Sequence, residues 1–187
     1  MAHIQIIIGS TRPGRLGKPL ADWFLTQVEG TKDATFEIVD LEEVGLPFLD
    51  EPIPAASKQY SQDHTKKWSE LVGKADGYVW VTPEYNHGTS ASLKNAIDYL
   101  FFEWNYKPVS FLGYGSMGAT RAIENLVSVA SELKMVPLRE RVLVVEPWSA
   151  FDESGVVKQD FVKGDPKNVA TELVKWANAT KSLRDNI

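Results

Sequence analysis

The chain has no cysteine. Disulfides, thiolate metal sites, iron–sulfur clusters and cysteine nucleophiles are excluded at once. Histidine is scarce as well: only His3, His64 and His87 occur, and no two have the spacing of a helical metal site. No metal centre is expected. Long hydrophobic runs are missing too. The run Ile4-Gln5-Ile6-Ile7-Ile8 is too short to span a bilayer and lacks the flanks of a signal peptide. The expectation is no membrane partner and, by default, a cytoplasmic address. Nor is there an excess of positive charge. The formal net charge of −5 argues against nucleic acid, because a phosphate polymer needs clustered cations. One basic loop is enough for a small phosphate, so this exclusion covers polymers only.

With 187 residues, 43% of them hydrophobic and 24% charged, the chain can bury a substantial core and is too apolar for wholesale disorder. A single domain over residues 1–187 is expected. β-Branched and aromatic runs at 4–8, 36–41, 78–82, 109–114 and 141–145 read as strands. Stripes at helical spacing separate them. Leu20, Trp23, Phe24 and Val28 mark a helix over 17–28, and Trp68, Leu71 and Val72 a second. Leu93, Ile97, Leu100 and Phe101 mark a third; residues 119–133 and 168–183 supply two more. Pro19 suits a first helical turn, where its missing N–H costs nothing. Leu46-Pro47-Phe48-Leu49 and the prolines at 52 and 54 predict a connector without regular structure. Five strands alternating with five helices predict an α/β fold: a doubly wound five-stranded parallel sheet with helices on both faces. Ligands of such sheets bind beyond the carboxyl ends of the strands, which directs attention to the loops after the first, third and fourth.

The first loop, Gly9-Ser10-Thr11-Arg12-Pro13-Gly14-Arg15-Leu16-Gly17-Lys18, leads from strand to helix. Its glycines allow tight curvature and the free amides of a helix start attract an anion. Ser10 and Thr11 add hydroxyls, while Arg12, Arg15 and Lys18 add charge. A glycine-rich turn alone specifies nothing; the combination points to phosphate. It is not a Walker loop, because Pro19 follows Lys18 where a magnesium-holding Ser or Thr is needed. It is not a dinucleotide fingerprint either, because Thr11 stands where the second glycine belongs. Asp40 imitates the ribose-binding acid of that motif but reads as a polar strand end. The second loop, Pro83-Glu84-Tyr85-Asn86-His87-Gly88, combines an aromatic ring, an amide and small residues before a helix, parts suited to a flat heteroaromatic ligand. The third, Gly113-Tyr114-Gly115-Ser116-Met117-Gly118, also feeds a helix, whose positive end suits negative charge developing on such a ring.

Taken together, Gly9-Ser10-Thr11-Arg12, Pro83-Glu84-Tyr85-Asn86 and Leu93-Lys94-Asn95-Ala96-Ile97-Asp98 closely resemble the NADPH-dependent FMN reductase family, with Leu46-Pro47 and Asp50-Glu51 of the connector included. The resemblance implies a flavodoxin-like fold, FMN as cofactor and NADPH or NADH as reductant. It implies hydride transfer to the flavin and then reduction of a small-molecule acceptor such as a quinone, azo compound, metal oxyanion or free flavin. It matches Ser10, Arg12, Gly17 and Lys18 to the phosphate end, with Arg15 within the same loop, and Pro83, Glu84, Tyr85 and Asn86 to the isoalloxazine; Thr11, His87 and Gly88 of these loops are counted as cofactor-binding with them. Gly115, Ser116, Met117 and Gly118 fall near the pyrimidine side. A homodimer or tetramer is also implied. Two positions depart from the family pattern: Gly17 stands where many relatives have serine, and Ser90-Ala91 where they often have Pro-Gly.

Because a flavin carries its own chemistry, no catalytic acid or base is nominated. His87 sits in the second loop and imidazole is a common general acid or base, yet a loop histidine is more often a packing or solvent contact. Glu84 reads as orienting its loop, and Arg121 as bracing the third loop or facing water. The aromatics Phe101, Phe102, Trp104 and Tyr106 read first as core, with a dimer surface or cleft wall as the other use. Competing functions are a non-enzymatic FMN electron carrier, a flavin-free dehydrogenase using Asp40, and an interaction protein with a vestigial pocket.

Overall fold

Strands of a parallel sheet are covered on both faces, so they are apolar almost throughout. The computed structural model, which describes residues 1–184, builds the expected runs into such a sheet. Its strands are β1 (Ala2–Ile8), β2 (Ala34–Asp40), β3 (Gly77–Pro83), β4 (Pro108–Gly115), β5 (Val136–Pro137), β6 (Val142–Val145) and β7 (Val162–Lys163). The path runs β2-β1-β3-β4-β6-β7, with β5 paired to β4. The five strands predicted from sequence run parallel in the order β2-β1-β3-β4-β6. The two additions are short: β5 is parallel to β4 and β7 antiparallel to β6. Two-residue segments carry no periodicity, so the sequence pattern does not announce them.

The helices are α1 (Gly17–Val28), α2 (Leu41–Val44), α3 (Asp63–Gly73), α4 (Ala91–Asp98), α5 (Thr120–Glu132), α6 (Pro166–Ala179) and α7 (Lys181–Arg184). Alternation along β1 divides the core. Ile4, Ile6 and Ile8 pack with Leu20 and Phe24 of α1 and Val169 and Leu173 of α6. Ile7 faces the other layer, with Trp68 of α3, Ile97 of α4 and Ile123 of α5. Trp104 is fully buried there and meets Trp80 edge-to-face at 5.8 Å, so it is core rather than cleft wall.

Several boundaries differ from the sequence pattern for local reasons. Leu41 opens α2 rather than closing a strand, because the Asp40 side chain accepts the N–H of Glu42 and caps the helix. The connector over 46–54 is irregular as expected, flanked by α2 and by a 3₁₀ turn at Ala55–Ser57. Leu100 and Phe101 lie beyond the end of α4, and Leu100 is buried all the same. The closing helix starts at Pro166, capped by Asp165, and is interrupted at Thr180 before α7.

β1 connects to β2 on one side and β3 then pairs on its other side, so the strand order switches at β1. The loops leaving β1 and β3 therefore splay apart above the sheet and open a crevice.

Candidate active site

The crevice is built on the carboxyl ends of β1, β3, β4 and β6. A cleft of about 340 Å³ brings together Arg12, Arg15 and Leu16 of the first loop, Pro83, Glu84 and Tyr85 of the second, and Tyr114, Gly115 and Ser116 of the third. Pro147 and Trp148, after β6, close its side. A smaller depression of about 220 Å³ adjoins it through Arg12 and Tyr85 and adds Ser10 and Thr11. Ser10 is buried, and its hydroxyl lies 3.1 Å from that of Tyr85, so the first and second loops meet. Ser90 and Ser92 each donate to the Gly9 carbonyl at 2.6 Å, and Ser90 also caps α4. The Ser90-Ala91 departure from the family pattern therefore keeps a defined helix start.

The second loop turns back through Asn86 and His87, both with positive φ (51° and 69°). Reciprocal hydrogen bonds between Tyr85 and Gly88 close this hairpin. Asn86 and His87 are exposed at its tip, outside the cleft, and Gly88 is also outside. The His87 carbonyl is held by Asn125 at 2.9 Å. Met117 and Gly118 likewise do not line the cleft; Met117 is exposed and Gly118 forms the turn back to Gly115.

Two charged residues take on bracing duties. The Glu84 carboxylate, nearly buried, pairs with Arg121 and accepts the backbone N–H groups of Arg121 (3.1 Å) and Ala122 (3.4 Å). Burial works against its charge, yet these bonds hold its carboxyl below the ordinary carboxylate range. This corrects the expectation that the positive end of α5 faces a ligand: Glu84 already occupies it, and Ser116 of the preceding turn is what reaches the cleft. Arg15 also departs from expectation. It lines the cleft, but its guanidinium is held by Asp40 at 2.7 Å and by Glu42, which ties the first loop to the end of β2. Lys18 lies in a neighbouring groove with Asp22, Asp40, Glu42 and Glu43. Arg12 remains the exposed cation at the cleft without an ion pair among the described residues.

An FMN needs an anion-binding end joined to a flat slot. The cleft offers both, and two buried polar atoms beside it, Arg15 Nε and Tyr114 Oη, have no hydrogen-bond partner among the described residues. Orphaned buried donors are costly, and a phosphate would satisfy donors of this kind. The residues present therefore fit the cofactor. Sequence reasoning did not nominate Leu16, Tyr114, Pro147 or Trp148. Trp148, 64% exposed beside the cleft, follows the last parallel strand, and inspecting that loop as well would have found it.

The pattern of the NADPH-dependent FMN reductase family matches residues 2–149. An NAD(P)H-dependent FMN reductase of Nectria sp is 34% identical over 190 residues, covering 97% of this chain and 90% of its own length. Another, from Schizosaccharomyces pombe, is 41% identical over 134 residues, 71% of this chain and 67% of its own. In three dimensions the chain superposes on the flavoenzyme NAD(P)H:(acceptor) oxidoreductase FerB of Paracoccus denitrificans with a TM-score of 0.66, at 20% identity, over 100% of this chain and 98% of that one. That likeness bears on the fold, which is the flavodoxin-like one. With a match across most of its length and with the crevice where the fold requires it, this chain belongs to the NADPH-dependent FMN reductase family.

Proposed function

We propose that this chain acts, within one domain, as an FMN-dependent NAD(P)H oxidoreductase that reduces a small planar acceptor such as a quinone or azo compound. The observation that carries this reading is the junction of a cationic, donor-rich loop end with an aromatic slot in one crevice at the strand-order switch. Bound FMN would supply the redox chemistry, taking a hydride from NAD(P)H and passing reducing equivalents to the acceptor. The chain's part is to bind and orient. Arg12, Ser10 and Thr11 serve the phosphate end, with the start of α1 adding its positive partial charge. Pro83, Tyr85, Pro147 and Trp148 offer flat or apolar surface to the rings. Glu84, locked to Arg121, fixes the distance between the second and third loops and takes no proton from substrate.

The proposal includes a cytoplasmic setting and a homodimer. Phe48, Leu49 and Ile53 on the connector are 83%, 47% and 40% exposed. A groove of about 500 Å³ next to Phe48, lined by Leu41, Leu46 and Ala96, reaches the first loop at Thr11. Apolar surface of this kind favours a second copy. Sedimentation at micromolar concentration should give a dimer, and a monomer would refute it. For the activity, the decisive test is an absorbance spectrum with added FMN before and after anaerobic NADPH. Prompt bleaching without any other protein is expected. Flavin that binds but stays oxidised with NADPH and NADH would instead identify an electron carrier.

A further inference from the structure

Position 17 and Tyr114 are far apart in sequence but share one small volume. Tyr114, next to the last residue of β4, is 6% exposed, yet its hydroxyl has no hydrogen-bond partner among the described residues. Gly17 is the first residue of α1. A Cβ placed on Gly17 would stand 2.8 Å from Tyr114 Oη, closer than two such atoms tolerate. The phenol therefore fills the space where a side chain at position 17 would begin, and it ends at the positive, donor-rich start of a helix. No side chain at Leu16 caps that start, so its N–H groups stay free for an outside acceptor, although Pro19 contributes none.

We propose that the Tyr114 hydroxyl donates a hydrogen bond to the phosphate of the flavin nucleotide, replacing the hydroxyl that a side chain at position 17 would offer, and so helps select FMN over unphosphorylated flavin. This rests on the FMN reading above. A phosphate only accepts, so the partner must keep its proton. Burial keeps the phenol protonated well above neutral pH, against the pull of the nearby Ser10 hydroxyl and of Arg12 and Arg15. Arg12 lines the same cleft as Tyr114, which adds a cation to the same end. An unfilled donor inside a packed wall is otherwise a pure cost; facing an anion it becomes a binding group.

The test is titration of FMN and, separately, riboflavin into the wild-type chain and three variants, followed by quenching of flavin fluorescence. Tyr114→Phe should weaken FMN binding about tenfold, the effect of one hydrogen bond to a charged acceptor, and leave riboflavin within about twofold. The same variant should lose no thermal stability without flavin, because the deleted hydroxyl has no partner. Gly17→Ser alone should bind FMN poorly, through the collision with Tyr114 Oη. The double variant Gly17→Ser/Tyr114→Phe should recover FMN affinity, since the ring carbon left behind is 3.4 Å from the new Cβ and a serine hydroxyl is restored. Unchanged FMN affinity in Tyr114→Phe overturns the proposal. So do equal losses for FMN and riboflavin, or a double variant no better than Gly17→Ser. A wild-type chain that binds no FMN overturns the cofactor reading itself, a result visible before any variant is made.

Discussion

Two stretches carry the residues by which the family is recognised, and they use their polar groups in different ways. In the connector between β2 and α3 these groups are paired within the chain. Asp50 accepts from Tyr99 at 3.0 Å and sits 2.9 Å from His64 Nε2. Glu51 accepts the N–H groups of Ser61 and Gln62 at the start of α3. Asn95 binds both the Pro47 carbonyl and the Leu49 N–H, which pins the Leu-Pro segment to α4. Around the cleft, Glu84 and Arg15 are paired too, but polar groups are left over: among the described residues Arg12 lacks an ion pair, and Tyr114 Oη and Arg15 Nε lack hydrogen-bond partners. Motif residues whose bonds are complete hold the scaffold. Those with donors left over are the ones the proposed FMN would engage.

The comparison breaks first at Arg12. Arg12→Ala should lower FMN affinity about thirtyfold, or ~2 kcal/mol for a charge-assisted contact, with the melting temperature unchanged. A fall in melting temperature with unaltered FMN binding would place Arg12 in the scaffold. Glu51→Gln should do the opposite, costing about 1 kcal/mol of stability as charge-assisted bonds to the turn before α3 weaken, with no direct effect on flavin binding. Its pH dependence has a definite sign. Burial opposes the Glu51 charge, but hydrogen bonds from Ser61 and Gln62 outweigh it and depress the carboxyl from 4.5 to about 2 in the folded chain. The unfolded chain therefore binds the proton first as pH falls. The wild-type advantage over Glu51→Gln is full above pH 4.5 and disappears as pH drops towards 2. Denaturant melts at several pH values measure it, and a constant difference would dismiss the role of the Glu51 charge. The smallest effect is expected at His87, exposed at the hairpin tip. His87→Gln should leave the pH–rate profile of NADPH oxidation unaltered, and a displaced limb would bring the imidazole into the reaction.

Much of this arrangement was legible in the sequence, because its causes are local. Runs such as Ile4–Ile8 are buried on both sides in any parallel sheet, and the α1 stripe from Leu20 to Val28 permits one buried face. The position of the crevice follows from strand order, and so the first, second and third loops were found. What those loops do with individual side chains was not legible. Arg15 lies 25 residues from its partner Asp40, and Glu84 37 residues from Arg121. No periodicity links such pairs.

The sequence by itself determined the layer architecture, the edge of the sheet that receives a ligand and the cationic character of the first loop. These depend on patterns a few residues long and on the handedness of strand crossovers. Only the tertiary structure decided which cation stays free, which carboxylate occupies the start of α5, and why position 17 is glycine. Those outcomes depend on distances between loops brought together by the sheet, and a difference of about one ångström separates a hydrogen bond from a collision.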